Sequence, residues 1–280
     1  MNRILIFLIL FSFSCSTGKL KIVTHLPLLL KEVSGVQTIN NSDLLWLLND
    51  SGNPNKIYGI TSTGKIEKEI VINAKNNDWE DLTFDELGNL YIGDFGNNHN
   101  KRKNLSILKI NNEALKKNKN VEVDHISFYF PEQLKFPPKK HHLYFDTESF
   151  FYLNDSLYLF TRSRVKGNYG KTSLYKIPAK KGNYAAKFIS DYTFCNNLNC
   201  AITSAAISQN KKRVVLLSHD TVIVLSGYEN DNFFSGKILE FDLMHKSQKE
   251  GVCFKDKNTL YIVDERSKGE GGNLYEFEIK

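Results

Sequence analysis

The sequence predicts an all-β chain folded as a five-bladed β-propeller, and three observations carry that expectation. The first is a recurring hairpin. Glu80-Asp-Leu-Thr-Phe leads through Gly88-Asn89 to Leu90-Tyr-Ile-Gly-Asp94. Glu148-Ser-Phe-Phe-Tyr leads through Asn154-Asp155 to Leu157-Tyr-Leu-Phe-Thr-Arg162. Glu250-Gly-Val-Cys-Phe leads through Lys257-Asn258 to Leu260-Tyr-Ile-Val-Asp264. In each, two alternating runs flank a turn, the pattern of a β-hairpin. The leading Glu always stands fourteen residues before the polar residue that ends the second run. The second observation is a pair of weaker copies, Val33-Ser34-Gly-Val-Gln leading to Leu45 through Asp50, and Thr203-Ser204-Ala-Ala-Ile leading to Val214 through Asp220. Five copies at roughly 50 residues each match the period of propeller blades. The third is that the last copy runs out of chain at Lys280, while Leu20–Leu26 stands unused ahead of the first copy. Supplying the missing outer strand from there closes a ring and leaves no exposed sheet edge. A β-sandwich with chance hairpin similarity is the competing fold.

Taken in order, each copy continues into a third β-type run: Lys56–Ile60, Leu105–Ile110, Leu174–Ile177, Val222–Leu225 and Leu274–Ile279. Four copies have a fourth: Ile66–Ile72, Ile126–Phe130, Ala185–Phe194 and Lys237–Leu243. Helix signals are scarce, and Asn112–Lys119 reads as one short turn. The expected organisation is a single propeller domain over residues 20–280.

The first residues read as an address. Asn2-Arg3, the apolar run Ile4–Phe11 and Ser12-Phe13-Ser14-Cys15 form a charged region, a hydrophobic region and a small-residue cut site. Residues 1–14 are therefore expected to be a signal peptide and 15–19 a tether. A cut before Cys15 leaves that cysteine at the new N-terminus for lipidation. Ser12 stands where such signals usually carry Leu, so plain cleavage after Ser14 stays open. The apolar run is shorter than the ~20 residues that span a bilayer. The expected location is the outer membrane of a Gram-negative bacterium, held by lipid alone. Ser16-Thr17-Gly18 lacks acidic residues, which favours the periplasmic side.

Lys+Arg 37 against Asp+Glu 31 gives a formal charge of +6, but the basic residues lie in scattered short runs with no stripe. That argues against nucleic acid as the partner. In an oxidising compartment Cys195 and Cys200 are spaced to close a disulfide across a short polar loop, the alternative being two free thiols. Cys253 reads as a small buried hydrophobe, and no zinc-type spacing of Cys or His occurs.

The first strand of every blade lines the central channel, so one repeat position recurs around one axis. Glu80, Glu148 and Glu250 are expected to converge there, with Ser34 and Ser204 in the other two blades. Three carboxylates that close require a raised pKa or a cation. An oxygen-only donor set favours a hard ion, and Ca²⁺, which accepts about six to eight oxygens, suits it best. The competing reading is a hydrated polar ring. The ends of the second strands, Asp50, Asp94, Arg162, Asp220 and Asp264, are expected to rim the same mouth with His219, Arg164, Glu265 and Arg266. Such a rim suits a metal together with a phosphate or sugar carboxylate, although polar residues also end strands because turns are solvated.

The order Ser34, Glu80, Glu148, Ser204, Glu250 at five blade starts resembles the soluble calcium-activated nucleotidases, the apyrases of blood-feeding arthropods and their vertebrate relatives. Val33-Ser34-Gly35, Asn49-Asp50, Arg162 and Glu250-Gly251-Val252 are similar to that family's local phrases. The resemblance implies a five-bladed propeller with Ca²⁺ in its tunnel and hydrolysis of nucleoside di- and triphosphates. Three departures fall on the phosphate side. Ser51-Gly52 follow Asp50 where the family has Arg-Thr-Gly, Ser163 displaces the second arginine of the third blade to Arg164, and Phe95-Gly-Asn-Asn follows Asp94 where a basic residue is expected. The same Glu-rich blade starts also resemble uncharacterised propeller lipoproteins of Bacteroidetes and, less closely, esterase-like phytase propellers.

Two functions therefore compete. The favoured one is a calcium-binding module of the cell envelope that takes a small molecule, a glycan or a protein partner. The alternative is a Ca²⁺-dependent phosphoanhydride hydrolase, with Asp50 or Asp94 as base and Arg162 with Arg164 on the phosphate. A glycoside hydrolase is disfavoured because the axial glutamates are committed to the cation. Lys139-Lys140 and His141-His142, beside Pro137-Pro138, read as a solvated inter-blade loop.

Overall fold

A computed structural model of the chain describes residues 17–39, 42–117 and 119–280. The proposed signal peptide and Cys15 lie outside these residues. Five separate sheets, each built on four antiparallel strands, follow one another along the chain. From axis to periphery, blade 1 is Val33–Thr38, Leu45–Asn49, Lys56–Ile60 and Ile66–Ile72. Blade 2 is Trp79–Phe84, Leu90–Asp94, Ser106–Ile110 and Asp124–Tyr129. Blade 3 is Asp146–Leu153, Ser156–Arg162, Lys171–Pro178 and Lys187–Thr193. Blade 4 is Ser204–Ile207, Arg213–Leu217, Thr221–Ser226 and Lys237–Asp242. Blade 5 is Lys249–Phe254, Thr259–Asp264 and Asn273–Glu278. Its fourth strand is Lys21–His25 from the start of the chain, with Lys21 opposite Glu276 and His25 opposite Asn273. The architecture is the five-bladed propeller that the repeat predicts.

One strand differs from expectation. The run Ala185–Phe194 is broken at Ala186, so that Gly182–Ala185 joins the outer edge of blade 2 in parallel and only Lys187–Thr193 belongs to blade 3. Asn120–Val121 likewise adds a parallel strand to the edge of blade 1. Each addition covers an outer edge whose N–H and C=O groups would otherwise lie open, and each laces a blade to the next. The Asn112–Lys117 helix sits in the same connection as Asn120–Val121.

The hairpin turns follow their residues. Asn154 and Asp155 both adopt positive φ, 48° and 57°, between the paired residues Leu153 and Ser156. Two left-handed residues in a two-residue loop match the right-handed twist of the strands, and Asn and Asp tolerate that conformation better than other side chains.

The apolar interior is divided among five interblade layers. Val36, Leu47, Cys253 and Val263 join blades 5 and 1, while Trp46, Leu48, Trp79 and Leu82 join blades 1 and 2. The layer between blades 2 and 3 is aromatic, with Phe95 edge-on to Phe150 at a centroid distance of 5.3 Å. Cys253 is wholly buried, and burial pushes its thiol well above the ordinary range. Cys195 and Cys200 are joined as a disulfide, their Cα atoms 5.9 Å apart. Among the described residues no helix is long and apolar enough to cross a membrane.

Candidate functional site

The innermost strand of four blades slips register by one residue, between Val33 and Gly35, Trp79 and Asp81, Thr147 and Ser149, and Lys249 and Gly251. The residues passed over are Ser34, Glu80, Glu148 and Glu250. A bulge sets two residues against one and takes the extra residue out of strict alternation, so these four turn from the interblade layers towards the axis. Blade 4 corrects the expectation for Ser204. Ser204 lies opposite Leu217 as Gly35 lies opposite Leu48, which puts Thr203 at the height of Ser34. The hydrogen bonds agree: Ser34 Oγ donates to Trp79 O at 3.0 Å and Thr203 Oγ1 to Lys249 O at 2.6 Å, in each case the carbonyl just before the next blade's Glu. The ring is therefore Ser34, Glu80, Glu148, Thr203 and Glu250.

Ser204 belongs one layer deeper, with Gly35, Asp81, Ser149 and Gly251. A Cβ on Gly35 would stand 2.7 Å from the Leu82 side chain, and one on Gly251 2.9 Å from Val36 N. Four small residues thus leave room for Asp81, which is 1% exposed. Its carboxylate accepts from Leu82 N at 2.8 Å and Ser204 Oγ at 3.1 Å. The backbones of Ala205 and Phe150 donate to it as well. Burial pushes Asp81 well above the carboxylate range against these hydrogen bonds. Its structural effect is to pair open inner-edge N–H groups of blades 2, 3 and 4.

The same slip decides which rim residues reach the mouth. Asn49, Asp94, Thr161 and Asp264 stand opposite the residue before the bulge, so their successors Asp50, Phe95, Arg162 and Glu265, with His219, occupy the mouth position. Asp94, expected beside Asp50 as a candidate base, is turned away. It accepts from Arg102 Nη2 at 2.9 Å and Asn77 Nδ2 at 2.6 Å. Asp264 is wholly buried and accepts from Asn273 N and the Tyr275 hydroxyl, both at 2.9 Å. Asp220 accepts from Thr221 Oγ1 at 3.0 Å, and Arg266 donates to Leu26 O at 3.3 Å. Phe95 turns its ring back over Gly93, where a Cβ would stand 2.2 Å from it. That withdrawal leaves Gly96 beside the acids: a Cβ there would stand 2.0 Å from Glu80 Oε1 and 2.6 Å from Asp78 Oδ2.

Charge divides the mouth into two halves. In blade 3, Arg162 Nη1 donates to Glu148 at 2.9 Å and Arg164 Nη2 to the same carboxylate at 2.6 Å, while Arg164 Nε donates to Asp146. Asp146 also accepts from Asn97 N at 2.6 Å. Burial works to raise Glu148, but the two guanidiniums outweigh it and hold its carboxyl below the usual range, while Asp146 is pushed up by burial. Glu250 meets His219 Nε2 at 3.1 Å. In blades 1 and 2 the balance is weaker: Arg102 acts on Asp78 through space, and no ion pair holds Asp50, Asp78 or Glu80 among the described residues. Carboxylate oxygens of Asp50, Asp78 and Glu80 lie within 4.8 Å of one another. Burial and the neighbouring acids push Asp50 up to about 7, raise Asp78, and carry Glu80 well above the carboxylate range. Glu265 is pushed up to about 8 by burial, with Glu250 and Asp50 adding to it.

Of the expected metal ligands, then, only Glu80 stands in the uncompensated cluster. Ser34 and Thr203 are spent on interblade carbonyls, Glu148 on two arginines and Glu250 on His219. Asp78 was not foreseen, although a signal existed: a carboxylate precedes the ring position by two in Glu32-x-Ser34, Asp78-x-Glu80 and Asp146-x-Glu148. The donors of the cluster are oxygens alone, from half-buried Asp50 and Asp78 and buried Glu80, a set that fits a hard divalent cation rather than a thiolate- or imidazole-seeking one.

These features define a five-bladed propeller with a divided acidic mouth. No protein-family model matches the chain, and no curated protein matches it. Among solved structures it is similar to a catalytically inactive virginiamycin B lyase from Staphylococcus aureus with quinupristin, at 15% identity and TM-score 0.43 over 89% of this chain and 67% of that one. It is also similar to a candidate gluconolactonase, at 9% identity and TM-score 0.49 over 92% and 97%. A gluconolactonase from Xanthomonas campestris shows 11% identity and TM-score 0.45 over 84% and 69%. At these identities the likeness extends to fold alone.

Proposed function

We propose that this protein is a calcium-dependent binding module of the cell envelope, exported and anchored through lipid on Cys15, with the ion held by Asp50, Asp78 and Glu80 at the acidic mouth. The observation that carries the reading is the contrast in charge: these three carboxylates converge without an ion-paired cation among the described residues, while Glu148 and Asp146 beside them are matched by two arginines. A bound cation supplies the counter-charge that removes the mutual repulsion. The mouth beyond it, with half-buried Glu250, His219 and Glu265, suits a polar ligand such as a glycan or a peptide.

A second reading, phosphoanhydride hydrolysis, is favoured by one feature. Arg162 Nε is buried without a hydrogen-bond partner among the described residues, a guanidinium donor that an anionic group reaching it would satisfy. Against it, Arg164 is paired with Asp146 and Glu148, and Asp94 is withdrawn, so Asp50 is the remaining candidate base.

Thermal unfolding of the chain from Ser16 onward, after chelation and with Ca²⁺ or Mg²⁺ restored, tests the ion site. At a hundredfold excess over Kd, native-state binding adds ~2.7 kcal/mol, a rise of roughly 5–10 °C for a chain of this size. Asp78→Asn with Glu80→Gln should abolish the rise. No shift with either ion overturns the site, and calcium-dependent phosphate release from nucleoside triphosphates would favour the second reading. Cys15→Ala should release the full-length protein from the membrane fraction if the anchor is lipid.

A further inference from the structure

A cavity lies at the other end of the channel. All five first hairpins end around a funnel of about 800 Å³. The innermost strands enter the acidic mouth at Glu80 and its equivalents and leave through Thr38, Phe84, Leu153, Ile207 and Phe254, so the layer of Asp81 and Ser204 stands between the two openings. Aromatic side chains from four blades, Trp46, Phe84, Tyr152 and Phe254, contribute to the walls.

The charge on this lining is basic and partly unspent. Asp85 accepts from Leu87 N, Asn89 N and the Tyr91 hydroxyl, and Asp256 from Asn258 N and Thr259 N, so both acids serve their own turns. Glu86 is tied to Lys211 at 2.7 Å. Lys68 and Lys257, both exposed on the same lining, have no acidic partner among the described residues. A volume in the range of roughly 300–1,000 Å³, aromatic walls and a few polar groups are the attributes of a small-molecule site. An unspent cationic rim selects the sign of the ligand.

We propose that this funnel is a second binding site, separate from the acidic mouth, for a small molecule that joins an aromatic or alicyclic body to one anionic group. The body stacks among half-buried Phe84, Tyr152 and Phe254, with buried Trp46 behind them, and the anion meets Lys68 and Lys257 at the rim. Nothing in this inference depends on a cation at Asp50, Asp78 and Glu80.

The test uses 8-anilinonaphthalene-1-sulfonate as the probe, bound to the natively folded chain and followed by its own fluorescence. The dye should bind at one saturable site, and Phe84→Ala or Phe254→Ala, each removing a half-buried wall of the funnel, should weaken it several-fold. Lys68→Glu combined with Lys257→Glu should weaken dye binding roughly 5- to 20-fold through loss and reversal of two exposed charges. Lys166→Glu, an exposed residue beyond Arg164 on the side of the acidic mouth, should change it by no more than about twofold, because screening confines surface charge to about 10 Å. Should either phenylalanine variant fail to fold, the exposed lysine variants decide alone. Binding unchanged in both phenylalanine variants, or a double charge reversal no more effective than Lys166→Glu, overturns the proposal.

Discussion

Blade 3 and blades 1–2 bring the same kind of side chain to the acidic mouth and deal with its charge in opposite ways. Blade 3 carries its counter-charge on its own hairpin, since Arg162 ends and Arg164 follows the strand that pairs with Asp146–Leu153, and both fold back onto its acids. Blades 1 and 2 supply Asp50, Asp78 and Glu80, and the nearby cation, Arg102, is drawn away to Asp94 and the carbonyl of Gly96. One half is a closed ion-pair network and the other an open demand for positive charge. The difference teaches that a ring of equivalent glutamates is not a ring of equivalent functions.

The comparison breaks most visibly if the arginines are removed. Arg162→Met should cost about 3–5 kcal/mol in urea unfolding, because Glu148 is left buried with its charge short of a partner. Glu80→Gln in the opposite half should be neutral or stabilising in chelator. Similar losses from both would mean that the halves are alike.

Asp81→Ala, beneath both halves, should cost about 2–4 kcal/mol, since buried N–H groups of three blades lose an acceptor. Asp81→Asn, which keeps one oxygen, should cost less. Equal stability of the alanine variant and the parent would show that water replaces the carboxylate without loss.

The pH dependence sharpens the contrast. Asp50 and Glu265 have folded pKa values raised to about 7 and about 8, so between the unfolded values and these the native state binds more protons than the unfolded one. Stability then falls as pH rises through that window. From pH 5 to pH 8 in chelator the two groups together should cost on the order of 6 kcal/mol, and saturating Ca²⁺ should flatten the loss. Stability that rises over the same interval in chelator would contradict an uncompensated half.

Gly96→Ala is the mildest probe. Its Cβ falls where Glu80 Oε1 now lies, and the end of that side chain can move. The expected cost is about 1 kcal/mol in stability, with calcium affinity weakened roughly 3- to 10-fold. Unchanged affinity would place the ion away from Glu80.

Much of this molecule was legible from residue patterns. The hairpin copies, the turn residues Asn154-Asp155 and the displaced first strand Lys21–His25 all follow from local alternation and from the requirement that a closed ring leave no edge. The height of Glu80, Glu148 and Glu250 was legible too, because three identical residues at one spacing mark one position. Thr203 was not, since Thr203-Ser204 offers two hydroxyls in succession and only strand pairing chooses between them. The strand Gly182–Ala185 is not legible, and Ala185 reads as the start of the blade 3 run, because parallel lacing to a neighbouring blade leaves no mark on the alternation of a single strand.

The sequence by itself determined the number of blades, the closure of the ring and the convergence of acids on one axis, because these depend on periodicity and on spacing along the chain. Tertiary structure alone decided which acids remain without a counter-charge. A one-residue bulge sets whether Asp94 or its neighbour faces the mouth, and the arrival of Asp50 from blade 1 beside Asp78 and Glu80 from blade 2 is a distance between blades. Charge compensation acts through space over a few ångströms, and no spacing along the chain encodes it.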